Sequence, residues 1–340
     1  MLATGSGDSS VRLWRLADYS CTAVLEHPGS HGVVALAWTP DGQILASATW
    51  DCSIHLWRMS DNARITVLRD NCSIAALACT PDGKTLAVGD SDSAVRLYRL
   101  ARLSNDALTG VLRGHSKPVQ ALACTPDGKT LISAAEDYRI CLWRLADNVR
   151  TARITTDCRR IKALACAPDG ITFASGGYDH SISLWSLADN TCTAKLDGHL
   201  STVSALVFSP DSKAIASASD DTTIRLWRVA DKSCTAVLEG HTTSINTLTC
   251  TPDGCILISG AGSMGIFDKI DDRVRLWSLT DNAQVSVFRN NILIASRNGG
   301  RMSVVLQRLQ ALFAEIFFCE LPLGMHWTES CLPSDASCHA

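Results

Sequence analysis

The stretch that decides the fold runs from residue 119 to residue 144 and reads VQALACTPDGKTLISAAEDYRICLWR. It contains an apolar run, VQALAC, then the turn sequence TPDG, and then a second run, TLISA. A tight turn that holds Asp137 leads into a third run, which ends near Trp143. Other copies of the pattern add an outer run such as CTAVLE. Short β-rich runs separated by turns that contain Pro, Asp and Gly predict four antiparallel strands in each unit.

This unit recurs along most of the chain. Each copy ends its third run with Leu and an aromatic residue, at Trp14, Trp57, Tyr98, Trp143, Trp185, Trp227 and Trp277. The intervals between these aromatics are 43, 41, 45, 42, 42 and 50 residues. A period of about 40 to 45 residues with four short strands is typical of a β-propeller. We therefore predict an all-β fold, a seven-bladed β-propeller of four-stranded antiparallel blades.

An Asp lies six residues before each of these aromatics, at Asp8, Asp51, Asp92, Asp137, Asp179, Asp221 and Asp271. Three units open with Gly-His, at Gly114-His115, Gly198-His199 and Gly240-His241. Over roughly residues 2 to 289 this pattern resembles the WD-repeat family, whose blades join the second and third strands through an Asp-bearing turn. The Asp that follows Trp in the family is Arg or Ser here, and one Trp is Tyr98. The units ending at Tyr98 and Trp185 lack an opening His, so we expect those blades to be less tightly tied.

Three units carry the same set of four polar or aromatic residues. The sets are His115, Ser133, Asp137 and Trp143; His199, Ser217, Asp221 and Trp227; and His241, Ser259, Asp271 and Trp277. Ser, His and Asp together suggest a hydrolase, in which His takes the Ser proton and Asp orients the imidazole. An enzyme needs one such site, and three copies favour a structural role. In the WD-repeat family these side chains form a hydrogen-bonded network within each blade.

Composition narrows the classes of partner. The chain has 340 residues, of which 46% are hydrophobic and 19% charged, and its formal net charge is -3. It lacks the basic excess needed to neutralise a phosphate backbone, so we predict no nucleic-acid partner. The longest apolar stretch, residues 304–318, is interrupted by polar and charged residues. We predict neither a secretory leader nor a membrane span.

The fifteen cysteines do not predict disulfide bonds. Cys79, Cys124 and Cys166 share one repeat position, at which other units have Trp38 or Phe208. Cys21, Cys192 and Cys234 share a second position, seven residues after a Trp. Equivalent positions in separate blades are too far apart to pair. We expect small buried hydrophobic side chains in a reducing cytoplasm.

The N-terminus enters the repeat in mid-blade, because residues 1–6, 11–16 and 21–25 match the second, third and fourth strands. Closing the ring needs an innermost strand from the C-terminal side. The candidates are Ile292 to Ser296 and Met302 to Gln307. Alternatively, residues 292–309 are a degenerate second-and-third-strand pair that starts an incomplete eighth unit. Either way, the chain looks trimmed from a longer repeat array or a larger multidomain protein.

We assign residues 1–300 to the propeller and residues 301–340 to a C-terminal extension that is partly helical and then disordered. Val305, Leu309, Leu312, Phe313 and Ile316 recur at helical spacing, which predicts an amphipathic helix packed on the ring or on a partner. The five Cys and His residues between 319 and 339 fit no compact zinc pattern. We predict no metal and no cofactor.

A partner should bind where the Asp turns and the links into the innermost strands emerge on one face. The residues just before each Asp ring the mouth of the channel: Gly7, Trp50, Ser91, Glu136, Tyr178, Asp220 and Ile270. Trp50 and Tyr178 are the strongest candidates, because exposed aromatics bring a large contact area at low entropic cost. Beside the innermost strands, Arg159, Arg160 and Lys162 suggest a basic sector. Gln120 and Asn246 hold matching places in other units.

The seventh unit has a longer turn between Ser259 and Asp271, GAGSMGIFDKI, than the other units have. This turn offers Met264, Ile266 and Phe267 on the same face, and exposed apolar loop residues often mark a contact site. Packing of the loop back onto its blade is the alternative.

These features predict a non-catalytic, monomeric, cytoplasmic scaffold that binds a protein or peptide on the face carrying the Asp turns. One alternative is a regulatory or sensor module separated from a larger signalling protein. The third interpretation is an enzyme with its site at the channel mouth, although the sequence offers no unique nucleophile, metal set or phosphate loop.

Overall fold

The chain folds into seven four-stranded antiparallel sheets, each of which is one blade of a propeller. The computed structural model describes residues 1–29, 31–70, 72–101, 107–158, 160–262, 273–279, 282, 284–289 and 303–306. Within these residues the blades follow one another in chain order, and the innermost strand of each lies against the innermost strands of its two neighbours. The predicted fold class is confirmed.

The blades take their strands in sequence. Blade 1 has β1 (Leu2–Gly5), β2 (Ser10–Trp14) and β3 (Cys21–Glu26); blade 2 has β4 (Val33–Trp38), β5 (Ile44–Thr49), β6 (Ser53–Arg58) and β7 (Ala63–Arg69). Blade 3 has β8 (Ile74–Cys79), β9 (Thr85–Asp90), β10 (Ala94–Arg99) and β11 (Leu108–Arg113); blade 4 has β12 (Val119–Cys124), β13 (Thr130–Ala135), β14 (Arg139–Arg144) and β15 (Val149–Thr155). Blade 5 has β16 (Ile161–Cys166), β17 (Thr172–Gly177), β18 (Ile182–Ser186) and β19 (Cys192–Leu196); blade 6 has β20 (Val203–Phe208), β21 (Ala214–Ser219), β22 (Ile224–Arg228) and β23 (Cys234–Leu238). Blade 7 has β24 (Ile245–Cys250), β25 (Ile256–Ala261), β26 (Arg273–Ser278) and β27 (Gln284–Arg289).

The ring is closed by β28 (Ser303–Leu306), which pairs antiparallel with β1 as the innermost strand of blade 1. Its register sets Thr4 opposite Val304, and the strand also lies against β4 and β24. This confirms the second closing candidate, residues 302–307. The strand also carries the propeller beyond residue 300, the boundary that the sequence analysis assigned to it. The eighth-unit interpretation is wrong for these residues, because they fill an inner position rather than a third strand. The other candidate, residues 292–296, lies outside the described residues.

The core is divided between the blades instead of forming one central mass. The second strand of a blade is buried along nearly its whole length, as in β13, because both faces of the sheet are covered by neighbouring blades. The fourth strands are mostly exposed: in β3 only Leu25 is fully buried. Clusters such as Leu13, Val33 and Leu45 join adjacent blades. The hydrophobic effect thus holds the blades face to face.

The turn between the first and second strands is built in the same way in most blades. In blade 4 the Thr125 hydroxyl lies 2.6 Å from Oδ1 of Asp127 and accepts a hydrogen bond from the amide of Thr130 at 3.0 Å. Gly128 has a φ of 69°, a left-handed conformation that glycine adopts without steric cost. Ser212 takes the same conformation, with a φ of 62°, in the SPDS version of the turn.

The prediction that the repeated cysteines are buried holds only in part at one repeat position and is wrong at the other. Cys79 and Cys124 are half-buried, and burial raises the pKa of each thiol to about 12. Cys21, Cys192 and Cys234 are exposed, because they begin the outer strands, whose first residues face solvent. All twelve described cysteines are free thiols.

The predicted amphipathic helix and disordered tail lie beyond the described residues, apart from the short strand β28. In the described part of the chain, no helix has the length and apolar character required to cross a bilayer.

Candidate functional site

The repeated His, Ser, Asp and Trp side chains meet inside their blades. In blade 6, His199 Nδ1 lies 2.8 Å from Asp221 Oδ2, and His199 Nε2 lies 2.7 Å from the Ser217 hydroxyl. The Trp227 indole N–H donates to the same hydroxyl at 2.9 Å. Blade 4 repeats the set, with distances of 3.2 Å from His115 to Asp137, 2.8 Å to Ser133, and 2.8 Å from Trp143 to Ser133. The network binds the second and third strands to the link that opens the blade.

Blade 7 keeps the part of this network that is described. His241 Nε2 is 2.7 Å from the Ser259 hydroxyl, to which the Trp277 indole donates at 2.9 Å. Asp271 lies outside the described residues.

Blade 2 contains a version that the Gly-His pattern did not reveal. His27 Nε2 lies 2.7 Å from Ser47, and Trp57 donates to Ser47 at 2.8 Å. His27 Nδ1 contacts the backbone oxygen of Ser9 at 2.8 Å, so this histidine links blade 2 to blade 1. The buried His55 packs against it with ring centroids 4.6 Å apart. Burial, together with the neighbouring His27, lowers the pKa of His55 to about 4, which keeps this imidazole neutral.

The two blades without an opening His are tied by other polar contacts. In blade 3, Arg96 contacts Asp70 at 3.3 Å and Asp92 at 2.7 Å, and it also contacts the buried Asp90. In blade 5, the Trp185 indole still donates to Ser175 at 2.8 Å. Asp179 accepts from Ser181 at 2.7 Å and lies 3.4 Å from the Lys195 ammonium. The missing histidines are thus replaced by ion pairs and hydroxyl contacts.

Charge is distributed differently in the two complete networks. Burial lowers the pKa of His115, but hydrogen bonding to Asp137 outweighs it and raises the pKa to about 9. Burial raises the pKa of Asp221, but hydrogen bonds from Thr223 and the Leu200 amide outweigh it and hold the pKa at about 2. Burial also lowers the pKa of His199, and its hydrogen bond to Asp221 does not outweigh this, so near pH 7 the histidine is protonated in blade 4 and neutral in blade 6. Burial raises the pKa of Asp137, but hydrogen bonds from His115 and the Ser116 amide outweigh it and lower the pKa, so the carboxylates of both networks are ionised near neutral pH.

The order Asp, His and Ser matches that of a hydrolytic triad, but the surroundings of the serine do not suit a nucleophile. Ser133 and Ser217 are completely buried, and each hydroxyl already contacts an imidazole and an indole N–H. A substrate carbonyl has no route to these oxygens. The geometry is suited to holding strands together.

The residues before the Asp turns lie beside the entrances to the innermost strands, as predicted. The amide of Trp50 donates to the backbone oxygen of Gly32 at 3.1 Å, and the amide of Tyr178 donates to that of Arg160 at 3.1 Å. Equivalent bonds join Glu136 to Pro118 and Asp220 to Thr202. Each of these residues is therefore held by its backbone, while the side chains of Trp50 and Tyr178 remain exposed to solvent.

Trp50 and Tyr178 are exposed, by 45% and 41%. They belong to blades 2 and 5 and so occupy the same turn position on nearly opposite sides of the seven-bladed ring. Arg160 Nη2 pairs with Glu136 Oε2 at 2.9 Å, and its guanidinium carbon lies 5.5 Å from the centre of the Tyr178 ring. Glu136, Arg160 and Tyr178, three of the predicted site residues, thus form one cluster.

This cluster lines a cavity of about 630 Å³ between blades 4 and 5. Tyr138, Asp157 and Asp179 complete the lining, and the sequence had not assigned them to the partner surface. Tyr138 follows Asp137 in its turn with a φ of 63°, and it is the aromatic counterpart of Ser9 and Thr222. The place of an aromatic residue directly after Asp137 could therefore have been recognised from the sequence.

Leu200 is a second residue that the sequence analysis missed. It is 82% exposed, and its backbone N–H donates to Asp221 at 2.9 Å. The network thus holds an apolar side chain in solvent on the face of the Asp turns. Because Leu200 directly follows His199 in the link that opens blade 6, the sequence could have placed it on this face.

Gln120, Lys162 and Asn246 do not lie on the outer rim. They line the central channel, a cavity of about 260 Å³, together with Val34, Ser204 and other inner-strand residues. Arg159, Ile270, Met264, Ile266 and Phe267 fall outside the described residues. Within the described residues, no group of three or more His, Cys, Asp or Glu side chains could hold a metal ion.

A closed ring of seven blades, most of them tied internally by a buried polar network, defines the class of protein as a repeat-built β-propeller. The family model described as "WD domain, G-beta repeat" matches residues 19–58, 63–99, 107–144, 150–186, 190–228 and 232–278. The chain belongs to this WD40 family, whose propellers are typical protein-interaction scaffolds and are generally non-catalytic. No curated protein matches the chain.

Proposed function

We propose that this chain is a non-catalytic scaffold that binds a protein or peptide across the face carrying the Asp turns, with Trp50 and Tyr178 as anchors. The observation that carries the proposal is the exposure of these two aromatics at equivalent turn positions of blades 2 and 5. A partner that touches both has to cross the channel mouth. Buried aromatic anchors contribute much of the binding energy in protein interfaces.

The surface around the anchors supports a partner of considerable size. Tyr138, 38% exposed, lies beside Tyr178 across the cavity between blades 4 and 5. Leu200 adds exposed apolar area on the same face. Glu136 and Asp220 provide carboxylates, the first of them paired with Arg160. Aromatic and apolar groups with polar groups around them resemble the composition of a protein-binding patch.

The absence of catalysis is part of the proposal. Its support is the burial of Ser133 and Ser217 and the recurrence of the same polar set in several blades. We also propose that the ring is a cytoplasmic monomer that binds neither nucleic acid nor membranes. The insertion with Met264, Ile266 and Phe267 belongs to the proposed contact surface on the strength of its sequence alone.

The test is capture of partners from a native lysate by immobilised protein, with the bound proteins quantified by mass spectrometry. Trp50→Ala and Tyr178→Ala should each reduce the bound partner by about tenfold, the effect of losing one anchor. Ile171→Ala is the matched control, because Ile171 is 64% exposed on the opposite face, in the turn between β16 and β17. Equal capture by the two aromatic variants and the wild type would refute the proposed face.

A further inference from the structure

In blades 2 to 7 the innermost strand contains a bulge that aims one side chain into the channel. The pairing register between the first two strands shifts at one residue in all six described inner hairpins that run through blades 2 to 7. The residues at the shift are Val34, Ala75, Gln120, Lys162, Ser204 and Asn246, and all six line the channel. A bulge redirects a side chain away from the regular alternation of the strand. The channel is therefore lined at one level by a set of residues that varies from blade to blade.

This level of the channel is divided by polarity. Blades 2 and 3 contribute the apolar Val34 and Ala75, whereas blades 4 to 7 contribute polar side chains. Two of these are already engaged: Ser204 donates to the Ala218 oxygen at 3.1 Å, and Asn246 donates to the Gly262 oxygen at 2.8 Å. Gln120 and Lys162 remain available to a ligand.

Lys162 is the charged member of the set. Its ammonium lies 5.4 Å from the centre of the Tyr178 ring, which places it at the mouth next to a proposed anchor. The neighbouring Arg160 has a carboxylate partner in Glu136. Lys162 has no ion-pair partner among the described residues, and the described channel lining contains no carboxylate. A half-buried cation that lacks a counter-charge favours an incoming anion.

We infer that the partner inserts an Asp or Glu side chain into the channel mouth, where its carboxylate pairs with the Lys162 ammonium and accepts a hydrogen bond from the Gln120 amide. This rests on the proposed function, since it specifies what the partner presents between Trp50 and Tyr178. The apolar sector at Val34 and Ala75 favours apolar residues next to the acidic one. The occupant is thus an acidic peptide segment with apolar neighbours.

The direct test is fluorescence polarisation with a labelled peptide of alternating Glu and Leu, compared with the same peptide carrying Gln in place of Glu. Wild type should bind the Glu peptide about tenfold more tightly, a preference that decreases as salt is added. Lys162→Gln should remove the preference, and Lys162→Arg should retain most of it. Lys213→Gln is the control, because Lys213 is 84% exposed on the opposite face. An unchanged melting temperature of Lys162→Gln shows that its fold is intact.

Two outcomes would overturn the inference: equal binding of the Glu and Gln peptides by wild type, or a Glu preference that survives in Lys162→Gln. The lysate capture separates this from the proposed function. If partner binding depends on Trp50 and Tyr178 but not on Lys162, the interaction face stands and the acidic residue does not. If binding is independent of both aromatics, the proposed face itself is wrong, whatever the peptides show.

Discussion

Removing the hydroxyl at the centre of one blade network should destabilise the propeller measurably. Ser217 is completely buried, and its oxygen contacts Trp227 Nε1 at 2.9 Å and His199 Nε2 at 2.7 Å. Ser217→Ala leaves both nitrogens buried without that partner. Each unsatisfied buried polar group costs about 1 to 3 kcal/mol, so we expect a loss of about 3 kcal/mol in the free energy of unfolding.

The expected change in melting temperature follows from the size of the domain. With an unfolding entropy of about 2 cal/mol/K for each residue, a ring of this length loses about 5 °C for 3 kcal/mol. The assay is thermal unfolding followed by circular dichroism, together with denaturation in urea. Ser183→Ala is the control, because Ser183 is half-buried in β18 and its hydroxyl makes no hydrogen bond with the described residues.

A double-mutant cycle isolates the contact from other effects of the substitution. In a Trp227→Phe background the indole N–H is already absent, so Ser217→Ala should cost about 1 kcal/mol less than in wild type. A change below about 0.5 kcal/mol in the single variant, or the same cost in both backgrounds, would show that the network does not stabilise the blade.

Two further predictions follow from the same geometry. Asp221→Ala removes the acceptor for His199, the Leu200 amide and Thr223, and it should lower the free energy of unfolding by about 2 to 4 kcal/mol in urea denaturation; an unchanged midpoint would contradict the structural role. His55 has a folded-state pKa of about 4, below its unfolded value of 6.5, so its contribution to stability is complete above pH 6.5 and is lost as the pH falls towards 4. That loss amounts to about 3 kcal/mol in the free energy of unfolding. In blade 4 the same repeat position is occupied by the buried Cys141, so His55→Cys is a substitution that the blade accommodates. This variant should lose less stability than the wild type between pH 6.5 and 4. The same acid sensitivity in His55→Cys and wild type would exclude His55 as its source.

Much of the blade architecture was visible in the sequence because it is encoded locally. Trp143 near the end of β14, the Asp turn before it and the TPDG turn lie within one period, so spacing alone revealed the strand order. The exposure of Trp50 and Tyr178 followed from the same logic, since a residue just before an Asp turn has to lie on that face. These features depend on short-range turn chemistry and strand alternation.

Other features depend on residues that only the folded ring brings together. The sequence left three interpretations of the closing segment, because a short apolar run pairs with whichever edge it reaches. Asp70, in the link that opens blade 3, and Arg96, in β10, take the place of the histidine network, and His27 reaches the backbone of the preceding blade. The exposure of Cys21 depends on its place in the outermost strand of its blade.

The sequence by itself determined the number of blades, the order of their strands and the face on which the Asp turns emerge, because each of these repeats within about forty residues. The tertiary structure decided that β28 closes the ring, that bulges turn Gln120, Lys162 and Asn246 into the channel, and that Tyr138 joins Tyr178 around a cavity. Those arrangements arise from the packing of neighbouring blades, whose contacting residues are separated by a full repeat or, for β1 and β28, by nearly the whole chain.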